Sequence, residues 1–216
     1  MPTTPTPAYL TTVAKVKLRL PGIPASTMDS LILELIQDVQ GFIEGQCDRV
    51  FKNTSYSAEK YDGVNANGVP RSKVFLRNYP VTEITSFEYQ ASLSADTWMA
   101  YRNIDYILDP LSGILKSVGT YFLSASGYSF PASYQNLRVT YKAGYLIDWD
   151  HETDSTKHNL PRDLHAAATK LVVREFKKRE SIGRRSEGNG SSNISWLDDI
   201  DADIMAVLAS YQRMEV

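Results

Sequence analysis

Only one cysteine, Cys47, occurs in the 216 residues of this chain. A single thiol excludes an internal disulfide framework and any cysteine-rich zinc site. Cys47 falls near the end of an apolar helical pattern and reads as a small core residue rather than a nucleophile. Long apolar runs are missing as well: none approaches the roughly 20 residues that a bilayer span requires. The opening Met1-Pro-Thr-Thr-Pro-Thr-Pro7 has neither the basic nor the apolar region of a secretory signal. The expectation is a chain made and kept in a cytoplasm, with no membrane partner, where the sequons at Asn53, Asn189 and Asn193 carry no meaning. Charge of one sign is also lacking. Lys and Arg number 23, Asp and Glu 25, and the net charge of -2 predicts no bulk attraction to nucleic acid or to anionic lipid. What the chain does have is an apolar fraction of 43%, enough for a real core in one large domain or two small ones.

Catalytic and cofactor signatures are absent too. The histidines are His151, His158 and His165. His151 lies among Asp148, Asp150, Glu152 and Asp154, an arrangement that invites a calcium-loop reading. Such a loop needs glycine at its sixth position and glutamate at its twelfth, where this chain has Thr153 and Asn159. His158 and His165 do not form a short-spaced zinc pair and are expected to pack or to sit on the surface. Gly183 and Gly188 have phosphate-loop spacing, but Asn189 stands where the lysine must be. No nucleophile elbow is present. The expectation is a protein with no catalytic residue, no metal and no cofactor.

Along the chain the pattern changes twice. Residues 1–8 alternate threonine with proline and are expected to form a flexible or extended arm. Residues 9–54 read as helical. A turn or two of helix between Tyr9 and Leu20 stops at Pro21-Gly-Ile-Pro24, and a long helix follows, capped by Ser26 or Thr27. Its stripe is Met28, Leu31, Ile32, Leu35, Ile36, Val39, Phe42 and Ile43. Gly41 and Gly45 within it are expected to allow close approach of a neighbour. Residues 55–146 are rich in β-branched and aromatic residues, with strands at Lys73–Arg77, at Val81–Tyr89, on both sides of the turn Asp109–Gly113, and at Leu137–Tyr141. Residues 147–216 return to helix. Pro161 opens one with the stripe Leu164, Ala167, Ala168, Leu171, Val172 and Phe176. A Gly/Ser-rich stretch at 183–195 reads as a linker, and a last helix runs from about Leu197 to Arg213. The fold class is α+β: a helical bundle carrying an inserted antiparallel β module.

Two charged concentrations stand out. Lys170, Arg174, Lys177, Lys178, Arg179, Arg184 and Arg185 gather around one helix end, and Asp198, Asp199, Asp201 and Asp203 at the start of the last helix. Complementary patches on one chain are what a head-to-tail ring uses, so Lys177, Lys178, Arg179, Arg184 and Arg185 are candidate inter-subunit contacts with those aspartates. A nucleic-acid-binding module using the basic stretch 170–185 is the alternative. A third reading is a small enzyme or carbohydrate-binding β domain flanked by helices. The aromatics Trp98, Tyr101, Tyr121, Phe122, Tyr128, Phe130 and Tyr134 are expected in the core or on a sheet face. Residues 119–133 carry no interleaved cation to support base stacking.

Several short segments, in order, carry a family resemblance: Tyr9-Leu10 before a short helix; Phe75-Leu-Arg-Asn-Tyr-Pro-Val81 with Ile84 and Phe87; Tyr106-Ile-Leu-Asp-Pro-Leu-Ser-Gly-Ile-Leu115; Val139-Thr-Tyr-Lys-Ala-Gly-Tyr145; Leu160-Pro-Arg-Asp-Leu164; and the Ser/Gly-rich stretch Ser186 to Ser195. By their order and spacing the chain resembles the head–tail connector (adaptor) proteins of tailed bacteriophages, from about Tyr9 to the C-terminus. The resemblance implies a structural virion protein of the neck. It implies a homo-oligomeric ring, usually of twelve copies, docked beneath the portal protein and presenting a surface to a head-closure (stopper) or tail protein. Genomic DNA would pass through its channel without specific binding. The family offers no catalytic residues. Its members commonly engage the portal through the C-terminal segment, which here makes Trp196, Leu197, Tyr211 and Met214 candidate portal or neighbour contacts.

Overall fold

A computed structural model describes residues 8–22, 28–90, 97–118, 123–124, 127–179, 186–189, 192–195 and 201–213. The chain divides into two compact units. One comprises Met1–Arg49 with Leu146–Gln212; the other comprises Val50–Tyr145 with Arg213–Val216. The first holds the helices and one short strand pair, the second the remaining strands, so the α+β class expected from the sequence holds.

Four helices form the first unit: α1 (Val13–Lys17), α2 (Asp29–Cys47), α3 (Arg162–Lys178) and α4 (Ala202–Ser210). Thr12 starts α1, its hydroxyl accepting the N–H of Lys15. The caps expected for α2, Ser26 and Thr27, lie outside the described residues. Met28, left-handed at φ 71, precedes the helix without a side-chain cap. At the other end Asp48 turns left-handed at φ 49, a geometry its short polar side chain tolerates. The expected stripe on α2 is narrower than its apolar residues suggest. Ile32, Ile36, Val39, Ile43 and Cys47 are buried, whereas Phe42 and Met28 are exposed. Gly41 and Gly45 do not mediate close packing: a Cβ at either position would meet nothing within 4 Å.

The stripe on α3 is buried as the 3.6-residue period requires, from Leu164 through Phe176. This helix packs against α1, α2 and α4. A buried hydroxyl chain fixes its register against the N-terminal segment. Thr169 Oγ1 donates to the His165 carbonyl at 2.8 Å, so Thr11 must supply the proton in the 2.8 Å contact between the two threonine hydroxyls. The last helix is docked as well. Ile204 and Leu208 of α4 are buried, and the Cys47 thiol lies 3.5 Å from the Leu208 carbonyl, placing the end of α2 against α4. Cys47 is thus a core residue, and burial pushes its thiol pKa up.

The second unit carries two main sheets. β1 (Thr54–Tyr61), β9 (Leu137–Ala143), β3 (Val81–Tyr89) and β4 (Met99–Ala100) lie in that order in a four-stranded sheet. β2 (Lys73–Phe75), β6 (Ile114–Ser117) and β5 (Tyr106–Asp109) form a three-stranded one. A two-stranded pair joins β7 (Leu123–Ser124) to β8 (Gly127–Tyr128). All named pairs are antiparallel. The central strand β9 buries Leu137, Val139, Tyr141 and Ala143 at every second residue. These side chains join Tyr61, Val74, Leu76, Val81, Phe87, Leu115 and Phe130 in one core. Phe87 meets Tyr101 and Phe130 at centroid distances of 4.4 and 5.6 Å, as the aromatic-core reading of Tyr101 and Phe130 requires. Tyr134 is exposed instead.

Two glycines are forced by local geometry. At Gly144, φ is +110 and a Cβ would lie 2.5 Å from the Lys52 carbonyl oxygen. That close approach lets Asn53 donate to the Tyr145 carbonyl and Tyr145 donate to the Phe51 carbonyl. At Gly63 a Cβ would come within 1.9 Å of the Pro131 carbonyl. Its N–H is held by the Ser133 carbonyl and by the side chain of Asn136, which is fully buried.

Within the expected linker 183–195, β10 (Ser186–Asn189) pairs antiparallel with β11 (Ser192–Ser195). The register runs from Ser186–Ser195 to Asn189–Ser192. The Thr/Pro arm at 1–7 lies outside the described residues.

Candidate interaction surfaces

The charged concentrations are partly consumed within the chain. Lys170 on α3 and Asp203 at the start of α4 form an ion pair. The Tyr211 hydroxyl donates to Asp163 at 2.7 Å. Asp203 and Tyr211, both expected to face a neighbour, therefore have partners in the same unit. Lys177 is exposed in the last turn of α3, where a cation suits the helix dipole. The Arg179 guanidinium stacks 4.2 Å from the centroid of the Phe176 ring. Asp201 is exposed at the N-cap of α4. Arg184, Arg185, Trp196, Leu197, Asp198, Asp199 and Met214 lie outside the described residues. Lys178 borders a groove of about 340 Å³ between α2 and α3, floored by Val39 and Leu171 and walled by Phe42.

His158 and His165 pack, while His151 is exposed beside Asp148. Trp149, in the 3-10 turn Trp149–His151, has the His158 and His165 rings at 4.6 and 4.9 Å, and its indole N–H donates to the Tyr9 carbonyl at 2.9 Å. The Asp148 N–H donates to His158 Nδ1 at 3.2 Å, which assigns the His158 proton to Nε2 in the neutral ring. Lys15 bridges to Glu152 at 2.6 Å and lies 5.9 Å from the Trp149 ring. His165 Nε2 is buried without a hydrogen-bond partner. Its pKa is held below the usual histidine value, first by desolvation and then by the Lys15 charge. A small cavity of about 230 Å³ adjoins these rings. Among the described residues no group of three or more His, Cys, Asp or Glu side chains could hold a metal ion, and no helix is long and apolar enough to cross a membrane.

The strand unit presents two further surfaces. One is apolar: Ile104 and Leu111 are 71% and 79% exposed, flanking β5. The other is a basic groove of about 570 Å³ lined by Lys60, Asp62, Arg71 and Arg77, with Phe75 in its wall. Tyr61 of its lining belongs to a polar cluster. Tyr61 and Tyr141 both donate to Glu59 Oε2, at 2.6 and 2.8 Å, and burial is the first cause that pushes both phenol pKa values up. Arg77 lies over the Tyr61 ring at 5.3 Å. The sequence contains no cluster that marks this groove, because its lining cations Lys60, Arg71, Arg77 and Arg213 are spread along the chain.

The model of the head completion protein (HCP) family matches residues 9–214. No relative matches among curated proteins. Two solved structures share the fold. One, described as the neck of an empty gene transfer agent (GTA) particle computed with C6 symmetry, is 15% identical, with a TM-score of 0.55 over 99% of this chain and 95% of that one. The other, described as the virion of a native GTA particle, is 16% identical, with a TM-score of 0.52 over the same shares.

Proposed function

This chain belongs to the head completion protein family, and from that we propose that it is a structural component of the neck of a tailed phage or phage-like particle, working through surfaces rather than reactive groups. The observation that carries this reading is the family match across residues 9–214, which takes in both the helical and the strand unit. The fold likeness to a chain from a neck computed with C6 symmetry supports it. In the fuller form of the proposal, copies form a closed ring beneath the portal, extend the DNA channel and present a face to a stopper or tail protein. Twelve copies accord with sixfold symmetry. A closed ring needs two different patches on each subunit; the exposed end of α3, the α2–α3 groove and the apolar flank of β5 are available for it.

The sequence alone admits a terminal helix freed by a linker to reach a neighbour. Ile204 and Leu208 of α4 are buried in its own bundle, so a contact with the portal through this segment would use the outward face of α4 and the residues flanking it. Electron microscopy tests the proposal. Particles made without this protein should be DNA-filled heads lacking tails, and adding the purified chain should restore ring density at the portal vertex. Normal tailed particles in its absence, or no added density at the vertex, would refute it.

A further inference from the structure

We propose that the basic groove of the strand unit binds an extended acidic segment of a neighbouring neck protein, which adds a strand to the free edge of β2. That the segment comes from a neck protein rests on the function proposed above; that an acidic strand fits the groove does not.

The groove lies between two outer strands. β1 ends one sheet and β2 ends the other, and the cavity is lined by Lys60, Tyr61 and Asp62 on one side and by Val74 to Arg77 on the other. The direction of the β2 backbone follows from its ladder with β6. Ser117 N–H donates to the Ser72 carbonyl and Leu76 N–H to the Gly113 carbonyl, and Val74 is paired with Leu115 between them. Hydrogen-bonded positions alternate in an antiparallel ladder. Lys73 and Phe75 therefore turn their N–H and C=O groups away from β6, toward the groove side, where among the described residues no strand pairs with β2; the open stretch is bounded by Arg71, bonded to Gly63 and Phe130, and by Arg77, whose N–H donates to the Tyr61 hydroxyl. An unpaired row of this kind is a template for an incoming strand at ~4.8 Å.

Charge sets what kind of strand. Arg71, Arg77 and Arg213 line the groove against one carboxylate, Asp62, which already accepts the Gln135 N–H at 2.7 Å, while Lys60 borders it with its ammonium over the Trp98 ring. Arg71 commits its Nε to the Val64 carbonyl, which holds the guanidinium in place, and Arg77 is held over the Tyr61 ring. These cations are concentrated on a chain whose net charge is -2. The complement is a segment with acidic side chains at every second position and a backbone able to pair.

The test uses the full-length, isotope-labelled protein and a capped peptide of alternating valine and glutamate, followed by amide chemical shifts. Saturable shifts are expected at Lys73 and Phe75. Arg77→Glu should weaken binding about fivefold or more. The same peptide N-methylated at alternate residues, equal in charge but unable to pair, should lose binding; this comparison uses the unaltered protein and stands even if a variant fails to fold. Absence of shifts at Lys73 and Phe75, equal binding of the N-methylated peptide, or tighter binding of a short DNA duplex at the same groove would each overturn the inference. None of these outcomes touches the particle reconstitution that tests the neck assignment.

Discussion

Truncating Leu208 to alanine decides whether α4 is part of the helical core or a mobile tail. Leu208 is fully buried, with Ile204 one turn before it, and its carbonyl receives the Cys47 thiol at 3.5 Å. Alanine is the better helix former, so helix propensity favours the variant and any loss reports packing. Leu→Ala at a site of this burial costs about 2–5 kcal/mol through lost transfer energy and the cavity left behind. For a chain of this size, ~3 kcal/mol lowers Tm by roughly 6–12 °C. Thermal unfolding followed by far-UV circular dichroism measures it, with Ala206→Ser, at an exposed position of the same helix, as a control expected within about 0.5 kcal/mol of the parent. A Leu208→Ala variant as stable as the control would mean that α4 is not docked, and the terminal helix would again be available for a partner.

Two glycine substitutions should act in opposite directions. Gly144→Ala must place a Cβ 2.5 Å from the Lys52 carbonyl at φ +110, and should cost about 2–4 kcal/mol in urea unfolding. Gly41→Ala, in mid-helix with nothing within 4 Å, should stabilise by about 0.5–1 kcal/mol; equal effects from the two would discredit the geometry at both. The histidine cluster predicts a pH dependence. His165 is held below its ordinary pKa of 6.5, so the unfolded chain takes up that proton more readily and stability should fall as pH drops below about 6.5. The groups facing His165 are Lys15, Glu152, Arg19 and His158. Glu152, held below its own ordinary value of 4.5 by the hydrogen bond from Lys15, contributes its loss only in more acidic solution. His165→Gln should flatten the urea midpoint between pH 7 and 5, and an unchanged slope would show that the buried ring does not titrate with folding.

The elements of this fold were legible wherever local pattern and burial coincide. The period of α3 from Leu164 to Phe176, the alternation of β9 and the hairpin across Asp109–Gly113 each follow from residues adjacent in sequence. Legibility failed where the answer depends on what lies opposite. Phe42 carries the right period yet stands 41% exposed, because the partner surface of α2 is narrower than its apolar stripe. Gly41 and Gly45 look like packing glycines and face open space. Asp203 and Tyr211 look like free contacts, but Lys170 and Asp163 reach them across helix boundaries that no local window spans. The basic groove is the extreme case. Arg71 and Arg77 are ordinary strand and loop cations in sequence, and they line one surface only because β1 and β2 end separate sheets and border the same cavity. Where a site works by contact rather than chemistry, no reactive side chain marks it in advance. The informative signal is where strand pairing stops, and that is a property of the whole topology.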